Sequence, residues 1–178
     1  MATSTNKDVI QTYDVYVGAA DAIVTIVCYI DYESRDCARL NVILNQLLQD
    51  FSESIRINIR HFPLAQKHQK AMKAAEAAVA AAQEGLFWQM HNKLFENQKN
   101  LGTISLKQYA KAIGTQNKKF LDQVINGVYA WQVRDDLMGG LDKGIRDVPA
   151  VFINEMLYTG ELTIDEMKRE VEKSLASG

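Results

Sequence analysis

Cysteine is nearly absent from this chain: Cys28 and Cys37 are the only two in 178 residues. Two thiols cannot build the disulfide framework that staples small secreted domains, so the fold must rest on an apolar core. Long hydrophobic runs are missing as well. No stretch approaches the roughly 18 apolar residues of a membrane span. The opening "MATSTNKDVIQTYD" has neither the basic nor the apolar region of a signal peptide. Charge of one sign is not in excess; the formal net charge of -2 gives no footprint for nucleic acid or a membrane surface. No Gly-rich loop opens a helix, no repeat or low-complexity segment occurs, and the two Cys and three His do not share metal-ligand spacing. These absences leave a globular chain, 47% hydrophobic and 24% charged, suited to one domain with an insertion. A cytoplasmic setting is the expectation.

Hydrophobic patterning divides the chain. Residues 1–12 are polar and expected to be flexible. "YDVYV" (13–17) alternates like a short edge strand ended by Gly18. "IVTIVCYI" (23–30) is nearly continuous and β-branched, as in a strand buried on both faces. Ser34 then caps a helix whose apolar positions Leu40, Ile43, Leu44, Leu47, Leu48 and Phe51 share one side. "SIRINIRHF" (54–62) alternates up to Pro63. Between 66 and 143 the period is helical throughout. The spacing predicts an Ala-rich helix closed by Gly85, an aromatic helix "FWQMHNKLFENQ", and a third capped by Ser105 and stopped by Gly114. A fourth, longer helix is weakened at Gly127 and ends at Gly139-Gly140. Strands return as "PAVFIN" (149–154) and "MLYTG" (156–160), with a tight turn between them, and Thr163 caps the last helix. The order predicts an α/β core over 13–65 and 144–178, interrupted by a helical insertion over 66–143.

The chemistry concentrates in "YIDYESRDCARL" (29–40), where a buried strand runs through an acidic turn into a helix N-terminus holding Ser34 and Cys37. A helix N-terminus stabilises a thiolate, which makes such a junction a natural thiol site. Yet dithiol exchange needs two thiols, and Ser34 supplies a hydroxyl. Both residues also have plain structural roles, Ser34 as an N-cap and Cys37 as a small buried apolar side chain. His61 at a strand end and His91 on an aromatic helix face are expected to be structural; His68 is expected to face solvent.

Taken in order, "GAADAIVTIVCYIDYE", "RHFPL" (60–64), "AAEAA" (74–78), "FWQMHNKLFENQ" and "VPAVFIN" (148–154) resemble the landmarks of the DsbA-like thioredoxin-fold disulfide oxidoreductases, from Gly18 to the last helix. The resemblance implies a thioredoxin fold with the helical insertion between a strand-helix-strand unit and a hairpin-helix unit. It also implies a cis Val148–Pro149 bond beside the Ser34 helix and an extended peptide bound along that segment. Ser34 stands where the family's attacking cysteine would be, and Cys37 keeps the second position. Arg35 and Asp36 lie between them, and Asp147-Val148 precedes Pro149 where the family often has Gly-Thr. Cys28 takes the place of a buried acid that handles protons. Several readings stay open: a peptide- or thiol-binding module without dithiol activity; a glutathione-dependent enzyme similar to kappa-class transferases, which also carry serine at the first position; and monothiol chemistry at Cys37. A fourth reading has Ser34 standing in for a cysteine replaced by design. A redox or structural pair of Cys28 with Cys37 is the less expected state; two free, poorly reactive thiols are expected in a reducing cytoplasm. No cofactor is expected other than glutathione.

Overall fold

The computed structural model describes residues 9–178. Two strands of the first half, β2 (Val24–Ile30) and β3 (Ile55–His61), lie parallel and are joined by helix α1 (Arg35–Asp50). Parallel neighbours need such a crossover, and the long apolar run of β2 is what a strand covered on both faces requires. The short edge strand β1 (Tyr16–Gly18) pairs antiparallel with β3. After the insertion, β4 (Ala150–Ile153) runs antiparallel beside β2 and carries β5 (Met156–Leu157) on its outer side. The sheet order is β1-β3-β2-β4-β5, with α7 (Ile164–Ala176) closing the chain against α1. This is the α/β arrangement expected of the sequence, a thioredoxin core with a helical insertion.

The insertion comprises α2 (Ala71–Ala82), α3 (Phe87–Glu96), α4 (Thr103–Ile113), α5 (Phe120–Ile125) and α6 (Ala130–Asp142). Outside the insertion, the edge strand expected over 13–17 is a 3-10 turn at Thr12–Asp14 followed by β1, and the strand expected over 156–160 ends at Leu157. Within the insertion three details differ from the sequence reading. Helix α4 starts before Ser105 and is capped by Gly102, so Ser105 lies inside it. The long fourth helix is two, parted at Gly127, whose φ of +66° breaks the ladder. Helix α6 runs through Gly139-Gly140 instead of ending there. Gly140 is required by packing, because a Cβ there would stand 2.7 Å from Phe62 Cδ2 and 3.0 Å from Tyr29 Cδ1. Of the terminus expected to be flexible, residues 1–8 lie outside the described residues. Residues 9–12 are tied down: Thr12 is buried, its N–H donates to Gln132 Oε1, and Asn58 Nδ2 donates to its carbonyl.

Cys28 and Tyr29 occupy opposite faces of β2. Cys28 belongs to the face covered by α1, and the Tyr29 ring packs against α6 at Gly140. Because Phe62 is buried, the close approach at Gly140 cannot be relieved by a swing of its ring. Gly140→Ala is therefore expected to destabilise the fold by about 1–3 kcal/mol, the usual cost of overpacking, despite the better helix propensity of alanine. Urea unfolding measures this; a variant as stable as wild type would mean that α6 does not press on Phe62.

Candidate functional site

Strand β2 delivers the chain to a turn at residues 31–34, and every part of this turn is held. The Asp31 carboxylate is buried and accepts three hydrogen bonds. Its Oδ1 takes the Glu33 N–H at 2.7 Å, and its Oδ2 takes the Leu64 N–H at 2.8 Å and faces His68 Nδ1 at 2.9 Å. His68, expected in solvent, is thus partly buried against a carboxylate that needs donors once it leaves water. Gln98 Nε2 donates to the carbonyls of Tyr32 and Ser34 at 2.9 and 2.7 Å. Glu33 Oε2 accepts the Lys70 N–H at 2.8 Å. The turn is therefore clamped from the loop after β3 and from the insertion.

Ser34 is the N-cap of α1 in extended conformation, and its Oγ accepts the Cys37 N–H at 3.2 Å. That bond uses an oxygen lone pair, so the hydroxyl can also donate, and it does so toward the Cys37 thiol. Cys37, one turn in, is buried, and its Sγ accepts the Asp31 N–H at 3.5 Å. Burial pushes the Cys37 thiol up to about 12. The hydrogen bonds from Ser34 and Asp31 pull the other way, and the Asp31 and Asp36 charges add to the rise. Cys28 is fully buried; burial pushes its thiol up further, with the nearby Cys37 charge as a second cause. Both cysteines are free. A neutral thiol is a poor nucleophile, so neither sulfur is armed for exchange.

The β2–β4 register pairs Cys28 with Val151 and Tyr29 with Ala150. Pro149 and Val148 directly precede Ala150, at the end of β4 that lies beside the C-terminal end of β2. The Val148–Pro149 peptide is cis. The Val148 N–H, a group that an added peptide strand would use, donates to Asp147 Oδ1 at 2.9 Å. Ser34 and Cys37 thus sit just beyond the C-terminal end of β2, and Val148 and Pro149 lead into the strand that pairs with that end.

Beside the turn lies a second polar cluster, of which only the histidines are visible in the sequence. Tyr32 Oη is 2.8 Å from His91 Nδ1 and 3.5 Å from His61 Nε2, and His91 Nε2 is 2.9 Å from Asn41 Oδ1. Asp136, fully buried in α6, accepts from Arg60 Nε, from Thr12 Oγ1 at 2.8 Å and from the His61 N–H at 3.0 Å. His61 and His91 are both fully buried and belong to one connected row. Asp31 could have been suspected from its place at the end of a buried strand; Asp136 has no local signal.

A profile of the thioredoxin family matches residues 11–173. Among solved structures, oxidised BdbD of Bacillus subtilis superposes with a TM-score of 0.83 at 24% identity, covering 90% of this chain and 92% of that one. The thiol-disulfide exchange protein α-DsbA2 of Wolbachia pipientis gives 0.77 at 20% identity, covering 92% and 89%. At these identities the likeness is one of fold. In sequence, the chain is 31% identical over 160 residues to the Na(+)/H(+) antiporter NhaA 3 of Salinispora tropica, covering 90% of this chain but 24% of that protein. The antiporter NhaA of Herminiimonas arsenicoxydans is 29% identical over 136 residues, 21% of its length. The chain thus spans about a quarter of the curated relatives it matches. Among the described residues no helix is long and apolar enough to cross a membrane.

Two measurements test the state of the thiols. Native protein at pH 8 is expected to react with a thiol reagent far more slowly than unfolded protein, which should titrate two thiols. A single fast native thiol would make Cys37 a working nucleophile. A thiol whose folded pKa is raised gives stability that is complete below the unfolded value and is lost as pH rises through the folded one. Stability should therefore fall between the ordinary thiol range and pH 12, and less steeply in Cys37→Ala. Equal slopes in the two proteins would show that Cys37 ionises normally in the fold.

Proposed function

The chain belongs to the thioredoxin family, and from that premise we propose that it is a ligand-binding member without dithiol exchange. The observation behind this reading is the pairing of a hydroxyl with a buried thiol. Ser34 caps α1 in a half-buried position, and Cys37, the only sulfur near it on that helix, is buried and unionised. No disulfide can close across Ser34 and Cys37, and no mixed disulfide can form on an oxygen. Monothiol chemistry at Cys37 is disfavoured by the same burial. Two features support binding. The Ser34 hydroxyl, which could turn its proton from Cys37 to a ligand, and the N-terminus of α1 together suit an anionic sulfur, as in a small thiol ligand such as glutathione. The Val148–Pro149 segment suits an extended peptide by strand addition, which would displace the Asp147 carboxylate from the Val148 N–H. We further propose a cytoplasmic setting, supported by two free, buried cysteines.

A second reading is favoured by the antiporter relatives. A module 31% identical to part of an NhaA protein over 90% of its length suits service beside a cation–proton antiporter. Antiport measured in vesicles with and without the module tests it; unchanged exchange together with no binding to the transporter would remove it.

For the first reading, calorimetric titration with glutathione is expected to show saturable binding that Ser34→Ala weakens at least several-fold. Insulin reduction should be absent in wild type. Ser34→Cys should introduce a redox-active disulfide, because Cys37 has the required three-residue spacing. Activity should stay partial, since Asp36 and burial both oppose ionisation of Cys37. Insulin reduction by the wild-type protein would overturn the reading, and so would failure to bind either glutathione or an extended peptide.

A further inference from the structure

The buried row beside the turn has a direction that its hydrogen bonds assign. Asn92 Oδ1 accepts from Asn41 Nδ2 at 2.8 Å and from Asn45 Nδ2 at 2.9 Å, so Asn41 turns its Oδ1 to His91 Nε2. His91 must then donate from Nε2. As a neutral ring it accepts at Nδ1, from the Tyr32 hydroxyl. Tyr32, its proton spent on His91, can only accept from His61 Nε2. The other nitrogen of His61, Nδ1, is buried without a hydrogen-bond partner and stands 3.3 Å from Asp136 Oδ2.

A neutral His61 cannot satisfy both sides. With its proton on Nε2, the bare Nδ1 faces a carboxylate oxygen, lone pair against lone pair. With its proton on Nδ1, the bare Nε2 faces the lone pairs of Tyr32. One more proton removes the conflict: an imidazolium gives a cation against Asp136 and a donor to Tyr32 at once. We propose that the row Asp136–His61–Tyr32–His91–Asn41 is a binding site for one proton, held on His61, that locks the turn at 32–34 to the helical insertion.

The groups around the row agree with this placement. His61 faces Asp136 from α6, Tyr32 from the turn and the apolar ring of Phe87 from α3. Arg60 on β3 pairs with the other Asp136 oxygen. His91 faces Tyr32, Asn41 and the rings of Phe87, Trp88 and Phe95. Burial and the His61 charge hold His91 well below the usual imidazole range, so it stays the neutral acceptor. Burial alone would raise Asp136, but the His61 side chain as a donor, then the His61 and Arg60 charges, outweigh it and hold the carboxyl below its usual range. Cys37 is the remaining titratable neighbour of Tyr32; its burial keeps it neutral.

Tyr32 lies two residues before Ser34, and its carbonyl shares Gln98 with that of Ser34. Loss of the proton from His61 releases the Tyr32 hydroxyl from one of its two partners and loosens the lock. Ligand affinity at Ser34 should then fall as the proton leaves. This last consequence rests on the binding reading above; the proton site does not.

Nitrogen-15 NMR of the histidine-labelled protein across pH 4.5–9 tests the site without any ligand. One ring, assigned as His61 by its loss in His61→Gln, should show both nitrogens protonated at the acid end. His91 should show one protonated and one bare nitrogen throughout. The amides of residues 32–34 should shift with the midpoint of His61. Tyr32→Phe keeps the ring packing and removes the hydroxyl; there His61 should still titrate while the amides of 33 and 34 stop following it. It also serves if His61→Gln does not fold. A His61 that is neutral at every pH, a doubly protonated His91, or turn amides that titrate identically in Tyr32→Phe would each overturn the proposal. Coupling of the turn to His61 with no binding of either glutathione or an extended peptide at any pH would leave the proton site standing and remove the ligand reading.

Discussion

The buried carboxylate of Asp31 is the contact on which the site depends. A carboxylate removed from water is costly unless donors replace the water, and here they come from the turn itself, the loop after β3 and His68. Each donor fixes a different segment relative to β2. The backbone N–H of the same residue reaches Cys37 Sγ, so the first turn of α1 is positioned by Asp31 as well. Ser34, at the N-cap, completes an anchorage that starts one strand earlier. The position of the hydroxyl is thus a property of the strand end and its partners more than of the helix it caps.

Two halves of the molecule meet across polar contacts, not across apolar packing alone. Asp31, Tyr32 and Glu33 from the core engage His68, His91 and Lys70 from the insertion. Arg60 and His61 on β3 engage Asp136 on α6. Buried hydrogen bonds are directional, so they fix register where close-packed alkyl groups would tolerate sliding. The two chain crossings between core and insertion, near residues 66 and 143, are therefore not free hinges.

Most of the fold was legible because its signals are local. The continuous apolar run of β2, the helical spacing of Leu40, Leu44 and Leu47, and the caps at Ser34 and Thr163 need only neighbours in sequence, and the structure has each of them. Gly114 as a left-handed stop was legible for the same reason. What sequence could not give is partnership at a distance. His68 reads as a solvent residue until Asp31, 37 positions away, is folded against it. Asp136 reads as one of two adjacent helical acids, and only the 75-residue contact to His61 separates it from its exposed neighbour. Gly140 looked like a stop because glycine usually ends helices, whereas here the reason for it is a phenylalanine ring from β3's end.

Helix α2 sets a limit of a different kind. Ten of its twelve residues are buried, and eight of those ten are alanine, so it has neighbours on nearly every side. Alanine loses no rotamer freedom on burial, which makes such a helix cheap to order. It also leaves no slack, since any larger side chain must push a neighbouring helix outward. Sequence drift in this family member should therefore be slow along residues 74–82 whatever the fate of the site. A gain of bulk there is acceptable only when a facing residue shrinks in compensation. Evolution of the insertion is then constrained to paired changes, and new function is more easily reached through the exposed surfaces of α4 and α5 than through the helix at its centre.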